Sequence, residues 1–181
     1  MINSLSNLLQ RIMRRARHLC HEYLRAGVAM LPNDILSCRI RRWAYNSLGS
    51  EIEKGALIYR NVLLLGKIRI GAGSSISNNC CLNGADVGIV IGSDVMIAPG
   101  CCIVAFDHGT RLSAGPMIRQ ALVEAPICIK SNVWVAANCT ITSGVTIGAG
   151  AVVAANSVVV SDIPPDAIVG GVPARLLKMR N

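Results

Sequence analysis

Aliphatic side chains recur every six residues along most of this chain, and that period leaves few folds open. Ile52, Ile58, Leu64, Ile70, Ile76 and Leu82 stand six apart. After three extra residues the frame resumes at Ile91, Ile97 and Ile103. A longer gap follows, and Ile129, Val135, Ile141, Ile147, Val153 and Val159 complete the series. The fourth residue after each is usually small or apolar, as at Ala56, Val62, Cys80, Val95, Cys139 and Val145. Six is a multiple of the two-residue strand alternation, so every hexad can hold a short strand with a constant inner face, provided a corner follows. Small residues just after the aliphatic, such as Gly71, Gly92, Ala98, Ala136 and Gly148, suit those corners. Stacked strands of this kind make a parallel β-helix whose repeats contact only their neighbours.

Composition fits a thin aliphatic column. Of 181 residues, 52% are hydrophobic but only 3% are aromatic, and rings have little room in so narrow a core. Charged residues are 15%, too few for a disordered chain or a coiled coil. No continuous apolar run is long enough for a transmembrane helix. The eight cysteines lack the C-x-x-C spacing of a zinc site, so no metal is expected. The N-terminus lacks the apolar core and cleavage site of a secretory signal. The cysteines are therefore read as free thiols of a cytoplasmic protein.

Three parts follow: a helical segment over 1–46, the β-helix over 47–165 and a tail over 166–181. The net charge of +8 is concentrated in the first part, where eight arginines face only Glu22 and Asp34. The remainder is nearly balanced, which argues against a nucleic-acid partner. Residues 2–28 show a helical period: Ile12, Ala16, Leu19 and Tyr23 recur at threes and fours, with arginines largely between them. Asn3 or Ser4 is a candidate cap, Gly27 lies at or just inside the end, and Pro32 marks a break. A second helix is expected from roughly Ile35 to Tyr45, its apolar positions Ile35, Leu36, Ile40, Trp43 and Ala44 spaced for one face. The first helix has two readings. It packs on its own or a neighbouring β-helix, or residues 1–28 form a peripheral contact with the inner face of an anionic membrane.

The repeat resembles that of the left-handed β-helix acyltransferases with hexapeptide repeats, over residues 52–175. The left hand comes from the resemblance, since crossovers between parallel strands otherwise favour the right. Fifteen hexads at three per coil imply about five coils, and Pro164–Pro165 are expected to end them. The one long interruption, Val104 to Cys128, contains His108, the only histidine beyond the N-terminal segment. In the similar O-acetyltransferases a histidine in this protruding loop is the catalytic base, within a motif like Asp107–His108–Gly109. Asn132–Val133–Trp134–Val135–Ala136–Ala137 resembles a signature that lines the acetyl-CoA site, with Ala136 where glycine is usual. The resemblance assigns Trp134, Ala136, Ala137 and Ala155 to the cofactor groove, and Arg175 or Lys178 to its phosphates. Asn83 and Asp86 loosely match acceptor-binding residues of galactoside and maltose O-acetyltransferases. Both suit sugar hydroxyls, and Asp86 is also a candidate for orienting His108. Asn83–Gly84 also has plain turn chemistry. Pro116–Met117–Ile118–Arg119–Gln120 resembles a stretch in polysaccharide O-acetyltransferases.

The resemblance thus implies acetyl-CoA as acyl donor, a sugar or glycan acceptor, no metal, and a homotrimer. Its clefts would bring His108 of one chain to Asn83 and Asp86 of a neighbour, or the reverse. N-acetylation of an amino sugar nucleotide, acetylation of an antibiotic, and a non-catalytic scaffold are the other readings of the same fold.

Overall fold

The computed structural model describes residues 2–181, with the side chains of residues 2–6, 8 and 9 outside the described set. Two helices, α1 (Ile2–Ala29) and α2 (Ile35–Ser47), precede a solenoid of short parallel strands. Its strands stack in three sheets, one per side of a prism. Glu51–Ile52 starts the first sheet, Leu57–Ile58 the second and Leu63–Leu65 the third. Each later turn adds one strand to each sheet in that order. Ile52 pairs with Ile70, and Ile129 pairs with Ile147, each eighteen residues on. The insertion before Ile91 lengthens one coil by three residues, and the long interruption lengthens the next.

All fifteen hexad aliphatics are buried, none more than 5% exposed. The residues two before them, from Ala56 to Ser157, are buried as well. Each fully buried Ile, Leu or Val contributes about 1.5–3 kcal/mol over exposure. Tyr45 is the sole buried aromatic among the described residues; it lies on α2, where it joins the column, and its hydroxyl donates to the Val62 carbonyl.

The corners divide the work between two positions. The left-handed backbone falls on the third residue after the aliphatic, with φ of 58° at Asn132, 57° at Asn138 and 59° at Asn156. Asparagine tolerates that region better than other side chains do. The glycine directly after the aliphatic serves another purpose. A Cβ on Gly71 would lie 2.6 Å from the carbonyl carbon of Gly92, and one on Gly92 would lie 2.7 Å from Ser131 N. These glycines let successive coils approach.

The coil count exceeds the expectation. Five complete coils are followed by a partial sixth: Ile147 bridges Ile163, and Ala167–Gly170 pairs in parallel with Val152–Val153. Pro164–Pro165 do not end the stack. They occupy a corner, and the backbone resumes hydrogen bonding at once through Asp166 N to Ala149 O. The last coil is two residues short, Val153 pairing with Val169, which hides it from a six-residue frame. Arg175–Met179 then folds back antiparallel on Ala167–Gly170 and forms the sheet edge.

The second helix turns a different face inward from the one expected. Ser37, Cys38, Arg41, Ala44 and Tyr45 are buried, whereas Ile35, Leu36 and Trp43 are about two-thirds exposed. A buried guanidinium decides this orientation. Arg41 is 1% exposed; it donates to Val28 O in the last turn of α1, to Leu31 O and Pro32 O in the turn that follows, and to Ile58 O of the first coil. It ties both helices to the prism. Asp34 caps α2, accepting from Ser37 N at 2.9 Å. The Ser37 hydroxyl, and then that backbone bond, hold the Asp34 carboxyl below its ordinary range. The backbone of α1 is already helical at Ile2, ahead of Asn3 and Ser4, whose side chains lie outside the described residues.

Candidate active site

The long interruption is a folded finger. Phe106–His108 and Leu122–Glu124 form an antiparallel hairpin, with His108 opposite Leu122. Two short 3-10 turns, Leu112–Ala114 and Met117–Arg119, shape its tip. Its base is stitched into the coil: Ala105 N donates to Asn83 O at 2.9 Å, Ala125 N to Ala105 O at 3.0 Å, and Gly144 N to Ala125 O at 3.1 Å. The finger therefore leaves and returns between the third sheet and the first. It stands on the rigid column and is free of the column's packing.

His108 is exposed on this hairpin. It lines a cavity of about 530 Å³ with Thr110, Arg111, Arg119, Gln120 and Leu122. An imidazole in an open, arginine-flanked cavity can reach a substrate hydroxyl. Its neighbour Asp107 is engaged elsewhere, accepting a hydrogen bond from the Ser143 hydroxyl on the next coil. Gln120 braces the finger: its Oε1 accepts from Arg111 N, and its Nε2 donates to Arg111 O and Gly115 O.

Asn83 and Asp86 lie at the foot of the same finger, within one chain. Asn83 is half-buried in register with Val104. Its Oδ1 accepts from Ala85 N at 3.2 Å, so turn chemistry occupies that oxygen. Asp86 is exposed, and its backbone N–H donates to Glu124 Oε2 at 3.2 Å. Among the described residues no hydrogen bond joins Asp86 to His108. Glu124, Ser143 and Gln120 carry roles that the repeat did not signal. Only Gln120 stood in a recognisable stretch.

The other candidates occupy a different side. Trp134 is 46% exposed on the second sheet, between Met96 and Val152. Ala136 and Ala137 follow it at the corner towards the third sheet, with Ala155 in the corresponding place one coil on. Asn156 N bonds Ala137 O, and Ala136 N bonds Val153 O. The N–H groups of Ala137 and Ala155 have no protein acceptor among the described residues. A strip of small side chains with spare N–H groups suits a thin chain bearing amide carbonyls. Arg175 is exposed at the start of the last strand, and among the described residues its side chain bonds its neighbour's carbonyl, Ala174 O. In one chain, then, the finger and the small-residue strip stand on different corners of the prism.

The family model for bacterial transferase hexapeptide (six repeats) matches residues 129–161. A crystal structure of a hexapeptide-repeat containing acetyltransferase from Vibrio cholerae, complexed with acetyl coenzyme A, is 32% identical. The match covers 92% of this chain and 90% of that one, with a TM-score of 0.70. The chain belongs to the hexapeptide-repeat acetyltransferases. Within that family it is also similar to a maltose O-acetyltransferase from Clostridium difficile 630. That structure is 27% identical over 89% of this chain and 84% of its own, with a TM-score of 0.75. A sophorolipid acetyltransferase of Starmerella bombicola is 48% identical over 101 residues, which span 56% of this chain and only 38% of that relative.

Proposed function

We propose that the protein transfers an acetyl group from acetyl-CoA to a sugar hydroxyl of a cell-surface glycan, with His108 as general base. The observation that carries this reading is the single histidine beyond the helical segment, exposed on a finger that is the one long break in the column. A sugar hydroxyl is a weak nucleophile near neutral pH. Imidazole takes its proton as the oxygen attacks the thioester carbonyl, and the imidazolium returns that proton to the departing CoA thiolate. A backbone N–H at the Ala137 corner stabilises the oxyanion between those steps. No metal is needed, because a thiolate is already a good leaving group.

Trp134, Ala136, Ala137 and Ala155 would hold the pantetheine arm, and Arg175 or Lys178 the phosphates. Asn83 and Asp86 would hold the acceptor at the foot of the finger. The two halves stand on separate corners of one chain, which supports a closed homotrimer in which neighbours complete each site. Two of the relatives carry names that specify sugar-based acceptors, maltose and sophorolipid, which supports a sugar acceptor. The test is thiol release from acetyl-CoA across sugars, sugar nucleotides and oligosaccharides, with product masses determined. O-acetylated sugar is the expected product. Acetylation of amines alone would reject the hydroxyl reading.

A further inference from the structure

The first helix turns its apolar side away from the protein. Every residue from Gln10 to Cys20 is exposed; among the described residues α1 meets the body over its C-terminal part, where Val28 is buried and His21, Leu24 and Arg25 are half-buried. At 100° per residue, Ile12, Ala16, Leu19 and Tyr23 form one stripe, with Met13 and Cys20 beside it, an arc of about 120°. The stripe is bare: Ile12 is 53% exposed, Met13 70%, Leu19 57% and Tyr23 77%. Arg15 and Arg17 fall on its two margins, and Arg11, Arg14, His18 and Arg25 on the opposite side. Glu22 is the helix's single acid, and it is already bonded to Arg25 at 2.6 Å. The second helix repeats the arrangement, with exposed Leu36, Ile40 and Trp43 at helical spacing beside Arg39 and Arg42.

We propose that α1 lies in the surface of an anionic phospholipid bilayer, its Ile12–Tyr23 stripe among the acyl chains and its arginines on the headgroups. Charge selects this occupant over a second copy of the helix. Paired helices match acids against bases along the seam, whereas here each copy would set arginines against arginines. A bilayer with anionic headgroups supplies the missing negative charge, and arginines at the margins of the stripe can extend to it while their stems stay apolar. No described helix is long and apolar enough to cross a membrane, so the contact is with one surface.

The experiment is co-sedimentation of the full chain with phosphatidylcholine vesicles, with and without phosphatidylglycerol. Binding to the anionic vesicles alone, lost in high salt, is the expected result. Leu19→Glu with Tyr23→Glu abolishes that binding and leaves sedimentation mass and acetyl transfer to a soluble acceptor unchanged. Arg15→Gln and Arg17→Gln, at the margins of the stripe, each weaken it by about five-fold. No binding to anionic vesicles at low salt would overturn the proposal. So would a fall in oligomer mass in the double variant, which would assign the stripe to copies of the chain. The vesicle assay needs no substrate, so its outcome is separate from that of the catalytic reading.

Discussion

Gln120 bonds the backbone of Arg111 in both directions, its Oε1 accepting from the N–H at 3.0 Å and its Nε2 donating to the carbonyl at 2.9 Å. A third bond reaches Gly115 O at 2.8 Å. One side chain thereby closes the tip of the finger that carries His108. Gln120→Ala removes all three bonds and leaves the column untouched. Activity is expected to fall about ten- to a hundred-fold while the melting temperature holds, because small misplacement of a catalytic group is costly. Gln120→Glu keeps an acceptor for Arg111 N but has no donor for the two carbonyls, so it should not restore the rate. Steady-state kinetics beside thermal melts read both effects.

Arg41 supplies the next test. Its removal strands the buried Ile58 carbonyl and the part-buried carbonyls of Leu31 and Pro32, and leaves Val28 O with Leu31 N as its remaining donor. Each stranded group costs about 1–3 kcal/mol, so Arg41→Met should destabilise by about 3 kcal/mol or more. Arg41→Lys should recover little, because a single ammonium cannot reproduce the guanidinium fork. Urea unfolding followed by circular dichroism measures the loss.

Glycine substitutions separate the crowded positions from the open one. Gly71→Ala drives a methyl against the Gly92 backbone, and the coils must part. The expected cost is several kcal/mol, the scale of overpacking with a backbone shift. Gly27→Ala meets nothing within 4 Å inside α1 and should stabilise by up to about 1 kcal/mol. The two variants should move the melting temperature in opposite directions.

Two thiols of the column, Cys101 and Cys139, should be inert in the native protein. Cys101 Sγ donates to Ala136 O at 3.2 Å and Cys139 Sγ to Ala154 O at 3.1 Å. Cys139 lowers the Cys101 pKa, but Cys80 and burial outweigh it and push that thiol up to about 11. The bond to Cys101, then burial, raises Cys139 further. Thiolate is the reactive form, so alkylation near neutral pH should label exposed Cys20 first. Cys101 and Cys139 should react only after unfolding, as read by peptide mass spectrometry. Rapid native labelling of either would contradict the packing.

The column was legible because one physical demand repeats. Every coil must bury an aliphatic at the same place, so Ile52 through Val159 announce it. The final coil was not, because its two-residue shortening puts Pro165, not an aliphatic, six residues after Val159. The inward face of α2 was hidden for a related reason. Leu36, Ile40 and Trp43 carry the apolar period, but Arg41 and Tyr45 have bonding partners only on the opposite side, and tertiary contacts override the pattern. His108 stood out because a strict repeat makes any break conspicuous. Glu124 and Ser143 did not, since they bond partners 38 and 36 residues away, Asp86 and Asp107.

The most direct measurement of the catalytic account is acetyl-CoA thiol release with a sugar acceptor, comparing the wild-type chain with His108→Ala, alongside sedimentation. The account predicts transfer by the wild type, a loss of about 10²–10⁴-fold in the variant, and an unchanged oligomer mass. Acetyl transfer that survives His108→Ala at the wild-type rate would contradict it.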